Sequence, residues 1–292
     1  MKKLFITLTA LALVALAACG NGEDQDSNGD SAEVEEKGTL TFGVTPWTST
    51  VPPTKVAKLV LEDMGYEIEE TQADVSSTFM GLSRGDIDIF MDSWMPVHEI
   101  YFDEYEDSVE NVATSYDNAD AGLVVPTYVD DIETVEDLKG NEEMFGNEIY
   151  GIEDGASATE MIDDFIEAYD LDFEQVNSSE GGMIAQAQRM MNNEEPVIFY
   201  GWRPHTMFNE FDLKIVEEPA GDFFEQSSVH VVTNGELAND HPEVYEFLSN
   251  WSIPIDDVEA MIVEIEDGAD EEEVAQEWIE NNQDHIDEML EN

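Results

Sequence analysis

From Gly38 onward the sequence predicts an α/β protein of two lobes, wired alike and hinged by two segments that cross between them. Three observations carry this. Short apolar runs of strand character alternate with amphipathic runs of helical period, the pattern of a largely parallel sheet with ligands at the strands' carboxyl ends. The same order of elements occurs twice, and Val44 to Trp94 spans 50 residues, as does Ile152 to Trp202. Two apolar extended stretches, "AGLVVPTY" (121–128) and "SSVHVVTNG" (227–235), lie where the chain would pass to a second lobe and return.

In the first half, "TLTFGV" (39–44) reads as a strand. "PPTKVAKLVLEDMG" opens on prolines, spaces Val56, Leu59, Val60 and Met64 at helical intervals, and can close on Gly65. "YEIEETQ" is a second strand, "SSTFMGLSRG" a short helix and "DIDIFMDSW" a third strand. In the second half "NEIYGIED" is a strand, and the helix "GASATEMIDDFIEAYDL" follows. There Ser157 and Glu160 have the spacing of a capping box, and Met161, Phe165 and Tyr169 share a face. "FEQVNSS", "GGMIAQAQRMMNNEE" and "PVIFYGW" repeat the strand, helix and strand. "DDVEAMIVEIEDG" and "EEEVAQEWIENNQDHIDEML" are acidic amphipathic helices expected to cover the first lobe. The expected boundaries are 38–122 and 229–292 for the first lobe and 123–228 for the second.

Charge sets the surroundings. Ten Lys and Arg stand against 70 Asp and Glu, a net −60, so nucleic acid and anionic membrane surfaces are excluded as partners by repulsion. With 42% hydrophobic residues in periodic segments the chain can still fold, and the acidity reads as a surface adapted to high salt, where screening removes self-repulsion. At the start, Lys2 and Lys3, an apolar run from Leu4 to Ala18 and small residues before Cys19 read as a signal peptide over 1–18. "LAAC" (16–19) resembles the bacterial lipobox, which implies lipid on Cys19. That is the single cysteine, so no disulfide forms within one chain.

Residues 19–37 are acidic and small, a flexible tether. They contain Asp24, Asp26, Asn28, Gly29 and Glu35 in the calcium-loop pattern. No apolar helix precedes the pattern and Ser31 stands where a hydrophobe normally packs, so no calcium site is expected. Neither a metal nor a cofactor is expected elsewhere.

Three tryptophans, Trp47, Trp94 and Trp202, end strand-like runs, two of them at the same place in the repeated halves. The clam-shell brings such tips to its cleft. Trp251 and Trp278 sit on helical patterns and are expected to pack in the core. Indole faces suit a cation that cannot donate hydrogen bonds, at about 0.5–2 kcal/mol per face; sugars stack on them as well.

"GVTPW", "DSWMPVHE", "GIEDGASAT" and "FYGWRPHTMF" together resemble the glycine-betaine-binding lipoproteins of osmoprotectant ABC importers. The resemblance implies the type II periplasmic-binding-protein fold and a prism of Trp47, Trp94 and Trp202 around a quaternary ammonium. It implies a carboxylate site on His98 and the backbone amides of Ser157 and Ala158. His98 follows the second Trp one residue closer than in the family pattern. The amides also open a helix, whose unpaired N–H groups favour an anion. Arg203 and His205 flank Trp202 and could contact ligand or latch the lobes. The implied partners are glycine betaine or proline betaine and a permease with cytoplasmic ATPases, and a monomer is expected, held to the membrane only through Cys19 at its outer face.

Choline, carnitine and ectoine are the alternatives within this class. Asp92, near Trp94, is the feature that favours choline, which lacks a carboxylate. An exported hydrolase is the alternative outside it. With 70 acids, carboxylate pairs carry no information, and no Gly-x-Ser-x-Gly, His-Glu-x-x-His or phosphate loop occurs, so no enzyme is expected.

Overall fold

The computed structural model describes residues 37–224 and 226–291. The signal peptide, Cys19, the calcium-like pattern and all of the tether but Lys37 lie outside the described residues.

Two five-stranded mixed sheets, clad in helices, share one topology. In the first, β1 (Thr39–Val44) lies between the parallel strands β2 (Glu67–Gln72) and β3 (Ile89–Met95). Strand β10 (Ser227–Asn234) runs antiparallel to β3, and β4 (Val109–Ala119) antiparallel to β10. In the second, β6 (Glu148–Gly151) lies between the parallel strands β7 (Glu174–Asn177) and β8 (Phe199–Trp202). Here β5 (Ala121–Pro126) is antiparallel to β8 and β9 (Leu213–Ile215) antiparallel to β5. The orders β2-β1-β3-β10-β4 and β7-β6-β8-β5-β9 therefore superpose element by element. The repeat read from the sequence is this pair of parallel β-α-β-α-β units, with Trp94 and Trp202 on the matching third strands.

The two apolar stretches expected as crossings are strands instead. β5 belongs wholly to the second sheet and β10 is buried between two strands of the first. The chain changes sheets at Asp120, and returns between β9 and β10. The expected boundaries at 122/123 and 228/229 thus fall inside strands. An apolar extended run reads alike as a linker or as a sheet's inner strand, because only long-range pairing separates the two.

Helices fix the strand ends. Helix α1 (Val51–Asp63) starts with prolines in its first turn, where the missing N–H costs nothing, and buries Val56, Val60 and Leu61; Gly65 follows at φ 99°. Helix α2 (Val75–Arg84) is capped by Asp74, which accepts from the Ser77 N–H at 2.7 Å. Short α3 (Glu99–Glu104) follows β3. In the second lobe, α4 (Ser157–Ala168) and α5 (Glu180–Met191) are the crossover helices, and short α6 (Met207–Glu210) follows β8. The C-terminal part comprises α7 (Leu237–Asp240), α8 (Pro242–Ser249), α9 (Ile255–Glu266), α10 (Glu271–Asn281) and α11 (Gln283–Leu290). Of these, α8, α9 and α10 pack on α1 and β4 of the first lobe. Lys55 of α1 reaches Glu70 of β2 at 2.8 Å and Glu271 of α10 at 3.3 Å, and Lys58 reaches Glu272.

Two local expectations change. The helix expected to run through 290 breaks at Asn282, whose backbone is non-helical (φ −122°, ψ 31°) and whose side-chain amide donates to the Trp278 carbonyl. Trp251 follows α8 rather than lying on it, buried with its indole N–H on Ser115. Trp278 is on α10, its N–H on Asp257. Both are core residues.

Gly201, between Tyr200 and Trp202, shows how tightly the second lobe packs. A Cβ there would lie 2.8 and 2.9 Å from the two methyls of Val124 and 3.0 Å from Met207 Sδ. Val124 is β-branched on the neighbouring strand and cannot turn aside. Gly201→Ala should therefore destabilise the protein by about 1–3 kcal/mol in chemical unfolding; an unchanged midpoint would mean that the strand pair gives way freely.

Candidate functional site

The carboxyl ends of the two parallel units converge on one cavity of about 350 Å³ empty volume. Its lining comprises Trp47, Trp94, Val97 and His98 from the first lobe and Ile152, Ser157, Ala158, Tyr200 and Trp202 from the second. All six ligand-binding candidates from the sequence are thus brought together. Trp47 leaves β1 through Pro46 into a single 3₁₀ turn, Trp94 is the penultimate residue of β3, and Trp202 ends β8. The three are 8%, 6% and 4% exposed, so the lobes are closed over them.

One end of the cavity offers hydrogen-bond donors. His98 is fully buried, stacked on Trp47 at 6.4 Å and edge-on to Phe79 and Tyr101 at 6.1 and 6.0 Å. Burial pushes its pKa down to about 3, which keeps the imidazole neutral. Nδ1 accepts the backbone N–H of Trp94 at 2.9 Å, so the ring proton sits on Nε2 as a donor.

Beside His98 is the start of α4. The expected capping box is absent: Ala156 takes the cap position, Ser157 is already inside the helix, and no side chain caps it. Ser157 Oγ instead donates to the Tyr101 hydroxyl at 3.3 Å. The Ser157 and Ala158 N–H groups take no partner among the described residues. A helix start left open in this way, with the dipole's positive end behind it, receives an anion.

The rest of the lining is aromatic or aliphatic. Trp202 packs against Tyr200 at 5.6 Å and meets His205 in a T-shaped contact at 5.1 Å. Asp92 does not line this cavity. It is fully buried behind the cage, where Oδ2 accepts from Ser49 and Thr50 at 2.9 and 2.7 Å and Oδ1 accepts from the Trp94 indole at 3.1 Å. Burial pushes its pKa up to about 6, against the pull of those hydrogen bonds. The acid that would favour choline is therefore spoken for.

Of the two readings for Arg203 and His205, ligand contact or a latch between the lobes, the first is not met, since neither lines the cavity. The Arg203 guanidinium lies over the Phe208 ring at 4.5 Å, on the surface. His205 is buried and donates from Nε2 to Glu180 Oε1 at 3.0 Å, because its Nδ1 accepts the Met207 N–H. Glu180, at the start of α5, also accepts the Thr48 N–H at 3.1 Å and the Thr48 hydroxyl at 2.8 Å. Thr48 belongs to the first lobe, so His205 serves a lobe-closing contact.

The sequence reading missed Tyr200, Val97 and Ile152 in the lining, and Glu153 and Glu180 in the contacts between lobes. Tyr200 was within reach: two residues before Trp202 on a strand, it shares that residue's face. The glutamates carry no local signal among 70 acids.

Two like lobes closed over a buried cavity at their strand tips define a substrate-binding protein of the type II periplasmic class. Residues 38–281 match the family model for the substrate binding domain of ABC-type glycine betaine transport systems, and the chain belongs to that family. The resemblance carried by the quoted motifs is thereby borne out.

The glycine betaine/carnitine transport binding protein GbuC of Listeria monocytogenes is 33% identical over 141 residues, 47% of either chain. The match thus spans about half the length of that relative. Among solved structures, lactococcal OpuAC, closed on glycine betaine, has a TM-score of 0.82 at 26% identity, covering 87% of this chain and 99% of that one. An ABC-transporter choline binding protein in complex with choline has a TM-score of 0.81 at 30% identity, covering 86% and 91%.

Proposed function

We propose that this protein is the extracytoplasmic receptor of an ABC importer and captures glycine betaine, or a close betaine such as proline betaine, for osmoprotection. One observation carries the reading. The cavity is lined by three indoles and a tyrosine together with neutral N–H donors, and no carboxylate lines it. A trimethylammonium takes the indole faces, where it needs no hydrogen bond. A carboxylate takes His98 Nε2–H and the Ser157 and Ala158 N–H groups. Choline would leave those buried donors unpaired, at a cost of about 1–3 kcal/mol for such a group. The betaine complex of the lactococcal relative agrees with this preference, and the choline complex of the other makes choline the second reading.

Closure about Asp120 and the segment between β9 and β10 would exclude water and strengthen the contacts at both ends of the ligand. Export through residues 1–18, lipid on Cys19 and an acidic tether would hold a monomer at the outer face of the membrane, beside its permease and ATPases. The lipobox-like "LAAC" supports the anchor. Among the described residues no helix is long and apolar enough to cross a membrane. No chemical step follows binding in this reading.

Intrinsic Trp fluorescence of the soluble domain in molar salt, titrated with glycine betaine, choline, carnitine, ectoine and a neutral sugar, tests it. A saturable change with betaine, and a weaker one with choline, is expected, with the ligand recovered unaltered. A response to choline alone would discard the carboxylate site. Silence from every ligand in the folded protein would refute the reading.

A further inference from the structure

Two of the three cage indoles are hydrogen-bonded to a carboxylate through the ring N–H, one from each lobe. Trp94 Nε1 donates to Asp92 Oδ1 at 3.1 Å, two residues back on the same strand. Trp47 Nε1 donates to Glu153 Oε1 at 2.9 Å, across the cleft from the loop after β6. Neither acid lines the cavity, so neither touches what the cavity holds except through a ring.

The chemistry of the indole gives these contacts a consequence. Its attraction for a cation comes from the negative π face, balanced by a positive edge whose most positive point is the N–H. A carboxylate accepting from that edge offsets the positive side and sets a full negative charge behind the ring. In a cavity closed to water such a charge acts at low effective dielectric and is weakly screened by salt. A neutral acceptor would hold the same indole in the same place without this effect.

Asp92 is a costly choice for an acceptor alone. It is fully buried, and two hydroxyls besides the indole are spent in keeping it hydrogen-bonded. Glu153 reaches Trp47 only when the second lobe has swung onto the first, so the second charge arrives with closure.

We infer that Asp92 and Glu153 are positioning residues that act through Trp94 and Trp47 to set the cage's preference for a cation over an uncharged head group of the same shape. The inference rests on the reading that this cavity takes a methylated zwitterion.

Asp92→Asn and Glu153→Gln test it, since each keeps an acceptor oxygen and the side-chain volume and removes the charge. The probes are glycine betaine and 3,3-dimethylbutanoate, which has a tert-butyl group in place of trimethylammonium and the same carboxylate. Binding of betaine is measured by calorimetry at pH 8, where Asp92 is ionised, and the isostere by displacement of betaine. Each variant should weaken betaine roughly three- to tenfold and leave the isostere within about twofold, with the double variant multiplying the two effects. Equal losses for both ligands would mean that the acids only hold the rings in place, and unchanged betaine affinity would mean that they do not act on the cage at all; either overturns the inference. Glu153→Gln, on a half-buried loop, keeps the test open if Asp92→Asn fails to fold. A wild-type protein that binds no betaine would instead remove the functional reading beneath it.

Discussion

Replacing Trp202 by alanine is expected to raise the Kd for glycine betaine at least about tenfold. The indole closes one wall of the cavity and is held there by Tyr200 at 5.6 Å and by His205 at 5.1 Å. Its removal loses a cation–π face and also lets water reach the remaining two, which weakens each of them. The second term is why the loss should exceed that of one isolated contact. Trp278→Phe is the control, because Trp278 packs on α10 with its N–H on Asp257, far from the lining. That variant should bind betaine as the wild type does, whatever it does to stability. Unchanged affinity in Trp202→Ala would sink the cage assignment.

The second large effect is on stability. His98 is neutral in the folded protein down to about pH 3, whereas in the unfolded chain it takes a proton below its ordinary pKa of 6.5. Its contribution to stability is therefore complete above pH 6.5 and is lost as pH falls from there towards 3, by about 1.4 kcal/mol per pH unit. Asp92 works in the opposite sense. Its folded pKa is raised to about 6 from 3.8, so protonation favours the fold progressively as pH falls between those values. Between pH 6 and 4 the two largely cancel, and the wild type conceals both.

His98→Gln, which retains an Nε2 donor and cannot ionise, separates them. Between pH 7 and pH 4 the stability of the variant relative to the wild type should rise by about 3 kcal/mol, read from denaturant unfolding at both values. A constant difference would mean that the imidazole is solvated in the folded state. Its donor could not then be the dry, pre-set contact required of a carboxylate ligand.

The sequence made the parallel units legible because their cues are local. Val56 and Val60 of α1 repeat at helical spacing, Pro52 and Pro53 mark its start, and β1 and β3 are short apolar runs ending at Val44 and Met95. The matched positions of Trp94 and Trp202 came from the same repetition. What failed was non-local. β5 and β10 carry the apolar content of inner strands but gain that identity only by pairing with β8 and β3. β4 is half-exposed and rich in polar residues, and it drew no expectation.

At the site, the three tryptophans and His98 that line the cavity were legible from the motifs. The expected Ser157–Glu160 box shows the opposite case, where a strong local pattern loses to the site. Its absence leaves open the Ser157 N–H, which a Glu160 side chain in a box would have accepted. Glu153 and Glu180 were invisible because an acid that hydrogen-bonds Trp47 or Thr48 across the cleft looks like any other acid on this surface.

A crystal structure of residues 38–292 grown with glycine betaine locates the ligand outright. The trimethylammonium group is expected among Trp47, Trp94 and Trp202, and the carboxylate within hydrogen-bond distance of His98 Nε2 and the Ser157 and Ala158 N–H groups. A betaine bound the other way round, or outside this cavity, would contradict that placement.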